Sequence, residues 1–267
     1  MMLDKSNVRS FASKQQEKRI IIFIDILGFS HFINNISYDD EINLQDTYRI
    51  LEKAANIGSR EITGVFHPSF TFFSDTIVIS WPIDSLDRRT SLILAITQAE
   101  QIQRQFLQAH NLLSRGVIHI GQLYHNHPIL YGSGLVEAYV EESKNVINPC
   151  IVLTRQVLDF FGVIDLHDIT VGRYLRNNDG QFFIFFLNFL QNETAVNDVL
   201  EFKKLIELNL HQANEEGILK KWLWMTKHFN EHVLYWHDFQ EIRIPWKLNL
   251  KLIFFELRHK ICSFIAK

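Results

Sequence analysis

Apolar residues along this chain fall into runs of two kinds. Residues 19–26, RIIIFIDI, are apolar without alternation and rich in β-branched side chains, which predicts a strand buried on both faces. Gly28 ends it, and helical text starts at about Phe29. Residues 42–59 place Ile42, Leu44, Tyr48, Leu51 and Ala55 at helical spacing. Two apolar runs, 65–73 and 76–81, meet at Ser74-Asp75 and read as a hairpin. Then come a long helix over 86–111, a strand over 116–124, a helix over 133–144, and strands at 150–153, 169–171 and 182–189. From about residue 195 the text turns helical, with helices predicted over 195–212, 216–233 and 249–265. Hairpins mixed with crossover helices argue for an α+β fold with a β-α-β-β-α-β core. The expected division is a flexible lead (1–18), a core domain (19–190) and a C-terminal helical extension (191–267).

Composition narrows the classes. With 47% hydrophobic residues, 22 Phe and 5 Trp in 267 positions, disorder is excluded. A balance of 27 basic against 30 acidic side chains excludes a general electrostatic grip on nucleic acid. Two cysteines, Cys150 and Cys262, make neither a disulfide framework nor a zinc cluster and read as buried thiols in a reducing compartment. The first 18 residues lack the apolar stretch of a signal peptide, and no run approaches the roughly 20 apolar residues of a membrane helix. A soluble, cytoplasmic protein without stable membrane binding is expected.

Two carboxylates stand where carboxylates are expensive. Asp25 lies inside IIIFIDIL, and Asp75 lies between two apolar strands in TFFSDTIVIS. A buried, unpaired carboxylate costs several kcal/mol, so each needs a strong partner. Either could be a cap or half of a buried ion pair. In a β-α-β-β core their strands are neighbours, so both can reach one rim, and no Arg or Lys adjoins either in sequence. A divalent metal would satisfy both, and an all-oxygen site suits Mg or Mn. Immediately after Asp25, Leu27-Gly28-Phe29-Ser30 joins a strand to a helix start, where free N–H groups can receive an anion. Such turns are common and usually only structural. Beside two metal-competent carboxylates, this one suggests a metal-bound polyphosphate.

Three segments in order resemble class III nucleotide cyclases. FIDILGFS at 23–30 resembles their first metal motif, F-x-D-I-x-G-F-S/T. FFSDTIVIS at 72–80 resembles the second, G-D-x-x-x-A, with Ser74 and Ile79 as departures. RGVIHIGQL at 115–123 resembles the strand R-x-G-I-H-x-G. The resemblance covers about residues 19–190 and implies a ferredoxin-like cyclase core. It further implies that Asp25, Asp75 and the Ile26 carbonyl hold two divalent cations, Mn2+ or Mg2+. By the same resemblance the N–H groups of Leu27, Gly28, Phe29 and Ser30 hold the triphosphate.

The departures shape the implied substrate. The Lys with which adenylate cyclases read adenine aligns with Thr71, and their second base-reading residue aligns with Ile129. The ribose-orienting Asn and transition-state Arg align with Val136 and Val140. A purine-reading site is thus missing, leaving Thr71 as the base-side candidate. The pyrimidine cyclases of Pycsar anti-phage systems share these losses, and SRGVIHIG, GSGLVEAYVEES and KKWLWMTKHFNEHV resemble theirs. That resemblance implies conversion of UTP or CTP to cUMP or cCMP, shared active sites in a homodimer, and a separate effector activated by the product. The alternatives are an atypical adenylate or guanylate cyclase and an inactive nucleotide-binding module.

Other candidates carry less. Arg115 could meet phosphate as a planar fork or pair with an acidic neighbour. His125 and His127 lack a third ligand nearby and read as surface loop. His228 and His232 are spaced as in a zinc protease, but Phe229 stands where its Glu is needed.

Overall fold

Ten residues of alternating exposure would have made β1 an ordinary half-buried strand, but Glu17–Ile26 is buried on both faces from Arg19 to Ile24. In the computed structural model the described residues are 16–35, 45, 49, 52, 68–162, 175–178, 181–184, 186, 187, 196–237 and 244. The predicted strand at 169–171 and helix at 249–265 lie outside them, as does nearly all of the predicted helix at 42–59. The described chain divides into two compact units, one within residues 1–186 and one within 187–267.

In the first unit β1 is followed by α1 (Phe29–Asn35), the hairpin β2 (Ser69–Phe73) and β3 (Thr76–Pro82), helix α2 (Arg88–His110) and β4 (Ser114–Asn126). The short β5 (Ile129–Tyr131), α3 (Ser133–Asn145), β6 (Ile151–Leu153), α4 (Arg155–Phe161), β7 (Leu175–Asn178) and β8 (Gln181–Ile184) complete it. The sheet runs β2-β3-β1-β4-β6-β8-β7, and β5 pairs with β4. β2, β3, β1 and β4 pair antiparallel in that order, with β3 inserted between β1 and β2, and β4 pairs parallel with β6. This is the ferredoxin-like α+β arrangement that the element order predicts. Sequence reading missed β5, α4 and β7.

Strand parity sorts the side chains. One face carries Ile20, Ile22 and Ile24 of β1 against Ile79 and Ile77 of β3 and Ile118 and Ile120 of β4. Ala95, Ile96, Ala99, Ile102 and Phe106 of α2 join that core, at helical spacing. The helix starts on Asp87, whose carboxylate accepts from the Thr90 N–H at 3.0 Å, and stops at Asn111 in the left-handed conformation. Residues of the opposite parity, Arg19, Ile21, Phe23 and Asp25, look to the second face, partly covered by α3. There Gly134 of α3 sits on Gly121 of β4 so closely that a β-carbon on Gly121 would fall 2.4 Å from Gly134 Cα. Two glycines let the helix backbone lie on the sheet.

The second unit contains α5 (Val196–Gln212) and α6 (Glu216–His237), an αα-hairpin joined at 213–215. Val199, Phe202, Ile206 and Leu210 make the buried stripe of α5, and Trp222, Met225, Phe229 and Val233 that of α6. The Phe202 and Phe229 rings meet at 6.0 Å between centroids. No helix among the described residues is long and apolar enough to cross a membrane.

Candidate active site

The second sheet face ends in a rim of charge. Asp25 is opposite Thr76 of β3 and opposite Arg115 of β4, so the β-ladder places it between the hairpin and the β4 start. Asp75 occupies the hairpin turn, and its carbonyl accepts the Ile26 N–H at 2.8 Å. The two aspartates that the sequence singles out therefore flank one short stretch of backbone. Ser74 before Asp75 has φ +56°, a left-handed conformation that glycine adopts without penalty.

A third carboxylate arrives from α3. Gly134, Ala138 and Glu142 are its buried residues, four apart and on one face. Glu142 is 3% exposed, and burial raises its carboxyl to about 7, with Asp25 and Asp75 adding to the rise and Arg115 opposing it. Arg115 Nε lies 3.3 Å from Asp25 Oδ2 and 2.5 Å from Glu142 Oε1, and Nη1 donates to the Val146 carbonyl at 3.1 Å. The Glu142 oxygen makes no directed hydrogen bond there, so its contact is mainly electrostatic. Of the two roles open to Arg115, pairing with acidic neighbours is the one observed. The cation absent beside Asp25 in sequence comes from 90 residues away.

The Leu27–Ser30 turn follows directly. Leu27 is a correction to the expected phosphate cradle: its N–H donates to the Leu113 carbonyl at 2.8 Å and is not available to an anion. Gly28, with φ +78°, turns the chain into α1, where Phe32 N–H bonds back to the Gly28 carbonyl at 3.0 Å. The first N–H groups of a helix have no partner within it, which leaves Gly28, Phe29 and Ser30 as the donors at this turn.

Thr71 shares the sheet face with Asp25. It pairs with Val78, which pairs with Phe23, so Thr71 lies two strands across and two residues along, ~12 Å away by strand geometry. Its hydroxyl is 2.9 Å from His125 Nε2, and His125 Nδ1 is 2.7 Å from Ser80 Oγ. The surface-loop reading of His125 is therefore wrong: β4 runs two residues past its predicted end, and the imidazole is buried. Burial, helped by Arg19 and His127, pushes it down to about 4, so it is neutral at physiological pH. His125 continues the odd-numbered positions of β4 that face Asp25's side, which was the available signal.

A divalent cation meets a suitable donor set here. Arg115 contacts Asp25 and Glu142, and no cation among the described residues pairs with the Asp75 side chain. Asp25 and Asp75 with the Ile26 carbonyl are an all-oxygen set of the kind Mg2+ and Mn2+ take. No cluster of three or more His, Cys, Asp or Glu poised for a metal occurs among the described residues.

The chain is similar to solved nucleotide cyclase structures. The guanylyl cyclase domain of the RhoGC fusion protein from the aquatic fungus Blastocladiella emersonii is 15% identical, covering 64% of this chain and 96% of its own, with a TM-score of 0.44. The guanylate cyclase domain of RhGC from Catenaria anguillulae, solved with GTP, is 13% identical over 65% of this chain and 98% of its own, TM-score 0.43. The adenylyl cyclase CyaB from P. aeruginosa is 15% identical over 56% of this chain and 83% of its own, TM-score 0.41. No protein-family model and no curated protein matches the chain.

Proposed function

We propose that this chain is a metal-dependent pyrimidine nucleotide cyclase, converting UTP or CTP to the 3′,5′-cyclic monophosphate and pyrophosphate. The observation that carries the reading is the convergence of Asp25 and Asp75 on one rim, where no cation among the described residues pairs with the Asp75 side chain. The reaction joins the ribose 3′ oxygen to the α-phosphorus and breaks the bond from the α-phosphorus to the oxygen bridging to the β-phosphate. The hydroxyl proton passes to solvent.

Asp25, Asp75 and the Ile26 carbonyl would hold two divalent cations, Mn2+ or Mg2+, which when bound acidify the ribose hydroxyl and neutralise the leaving pyrophosphate. Every other part belongs to the chain. The N–H groups of Gly28, Phe29 and Ser30 bind the triphosphate at the mouth of α1. Arg115 orients the Asp25 carboxylate while bracing Glu142 behind it. Thr71 meets the base at the other end of the face. Catalysis is then chiefly positioning and charge stabilisation.

Residues 19–190 form the cyclase domain of this reading, with 191–267 as the helical extension. Val136, Tyr139 and Val140 on α3 are apolar and exposed, as is Phe73, 77% exposed on the same sheet face as Asp25 and two strands from it. Two copies covering these surfaces would complete shared active sites in a homodimer. The product would serve as a messenger for a separate effector in anti-phage defence, a role resting on the motif resemblance.

The test is incubation with each of the four nucleoside triphosphates and Mn2+, with products resolved by mass. A cyclic pyrimidine monophosphate is expected. Cyclic AMP or GMP as the main product would replace this reading with an atypical purine cyclase. A catalytically inactive nucleotide-binding module is the second reading, favoured by Arg115 already neutralising Asp25. Nucleotide binding without any cyclic product would establish it.

A further inference from the structure

The buried polar network behind Thr71 has a direction. Arg19 Nε donates to Ser80 Oγ at 2.9 Å, and Ser80 Oγ is 2.7 Å from His125 Nδ1. Arginine can only donate. Ser80 is fully buried, so its own proton needs an acceptor, and the imidazole is the partner it has. Nδ1 is therefore the acceptor nitrogen. A neutral imidazole carries one proton, which then sits on Nε2, 2.9 Å from Thr71 Oγ1. The opposite tautomer would leave the Ser80 proton buried without a partner. A second branch braces the first: Arg19 Nη2 donates to Ser69 Oγ at 3.0 Å, and Ser69 Oγ donates to the His125 carbonyl at 2.9 Å. With one lone pair of its oxygen taken by Nε2–H, half-buried Thr71 on the edge strand keeps its proton to give outward.

We propose that the relay Arg19–Ser80–His125 keeps the Thr71 proton from being spent on the imidazole, so that it is given to the base and thereby selects uracil over cytosine. The O4 of uracil accepts such a bond, whereas cytosine presents an N4 amino group, a donor, at the same edge. Accepting from cytosine on the remaining lone pair would leave the Thr71 proton without a partner, and the opposite tautomer would draw that proton inward to Nε2. The proposal rests on the reading of Thr71 as the base-side residue of a nucleotide cyclase. Within that reading His125 is a positioning residue that acts through Thr71.

Two measurements test it, one of them independent of turnover. Nitrogen-15 spectra of the histidine ring at neutral pH are expected to show His125 as the neutral Nε2–H tautomer. The Nδ1–H tautomer would overturn the relay whatever the enzyme does. The second is the ratio of kcat/KM for UTP and CTP, expected to favour UTP by about tenfold or more, the size of one mismatched polar contact. Thr71→Val and Ser80→Ala should each bring that ratio to within about twofold, while Thr71→Ser, which keeps the hydroxyl, should retain it. A ratio near one in the wild type, a preference for CTP, or a preference untouched by Thr71→Val would sink the proposal. If no nucleotide is cyclised, the cyclase reading falls by itself, and the same ratios measured as equilibrium binding of UTP and CTP decide the relay.

Discussion

Replacing Arg115 with Met removes the cation that contacts two of the three carboxylates on this rim. The 3.3 Å contact to Asp25 alone amounts to ~5 kcal/mol of gross attraction at an effective dielectric of about 20. Desolvation of the ions offsets much of that, and removing one partner of a buried pair typically costs about 3–5 kcal/mol. Arg115 and Asp25 keep 25% and 22% of their side chains exposed, which places the expected loss near the lower end, ~3 kcal/mol at pH 8. The loss must shrink in acid. Glu142 has a folded-state pKa of about 7 against an ordinary 4.5, so the folded protein holds its proton more tightly than the unfolded chain does. Its contribution is fully present below pH 4.5 and disappears as pH rises through about 7. Without Arg115 that fall steepens and extends upward, because nothing remains to stabilise ionised Glu142. Urea unfolding of wild type and Arg115→Met at pH 5.5 and pH 8 is the assay. A destabilisation at pH 8 about twice that at pH 5.5 is expected from neutralising one of the two carboxylates that Arg115 contacts. Equal losses at the two pH values, or a loss below about 1 kcal/mol at pH 8, would refute the picture of an under-neutralised rim. Millimolar Mn2+ should restore part of the variant's stability at pH 8 if Asp25 and Asp75 take up a cation.

Three further outcomes are expected. Asp25→Asn and Asp75→Asn should each abolish cyclisation while the far-ultraviolet spectrum stays unchanged, and near wild-type turnover of either variant in saturating Mn2+ would contradict the metal assignment. Ser74→Gly should stabilise the fold by roughly 0.5–1 kcal/mol in chemical denaturation, since a left-handed serine is strained and glycine is not. Gly134→Ala should destabilise by about 1–3 kcal/mol, although alanine is normally the better helix former, because the added carbon meets Gly121 and the Ile21 side chain at 2.8 Å; a raised melting temperature would show that α3 does not press on the sheet.

What was legible in the sequence was whatever a single segment decides. The unbroken apolar run of β1, the paired runs around Ser74-Asp75 and the apolar spacing of α2 each predict their element without outside help. Elements too short for a period were missed. The three residues of β5 exist because β4 is there to pair with them, and α4 has seven residues. Even so, α4 carried punctuation at both ends, Thr154 before it and Gly162, left-handed at φ +71°, after it. Within the site, Asp25 and Asp75 were visible because charge in an apolar run is conspicuous locally. Their company was not. That Arg115 stands opposite Asp25 depends on the register of β1 with β4, which no local pattern reveals. Glu142 was readable in principle, as the third member of the Gly134–Ala138–Glu142 spacing, but only once Gly134 is known to face a sheet.

The register of β1 also explains why the two ends of the site differ in chemistry. Arg19 and Asp25 are six positions apart, so they share a face and stand ~20 Å from end to end of the strand segment. Between them on that face are Ile21 and Phe23, fully or almost fully buried, with His119 of β4 opposite Ile21. At the Asp25 end the hairpin and α3 bring two more carboxylates, a place for cations and hence for phosphates. At the Arg19 end the guanidinium meets hydroxyls and a neutral imidazole, whose one ring proton must take a definite position. A slip of one residue against β3 or β4 would send both poles to the helix-packed face and the isoleucines to this one. Packing energy and site polarity are therefore fixed by the same parity. In the proposed reading, the strand that buries four isoleucines against or beside α2's core would also orient the nucleotide, phosphates toward Asp25 and base toward Thr71.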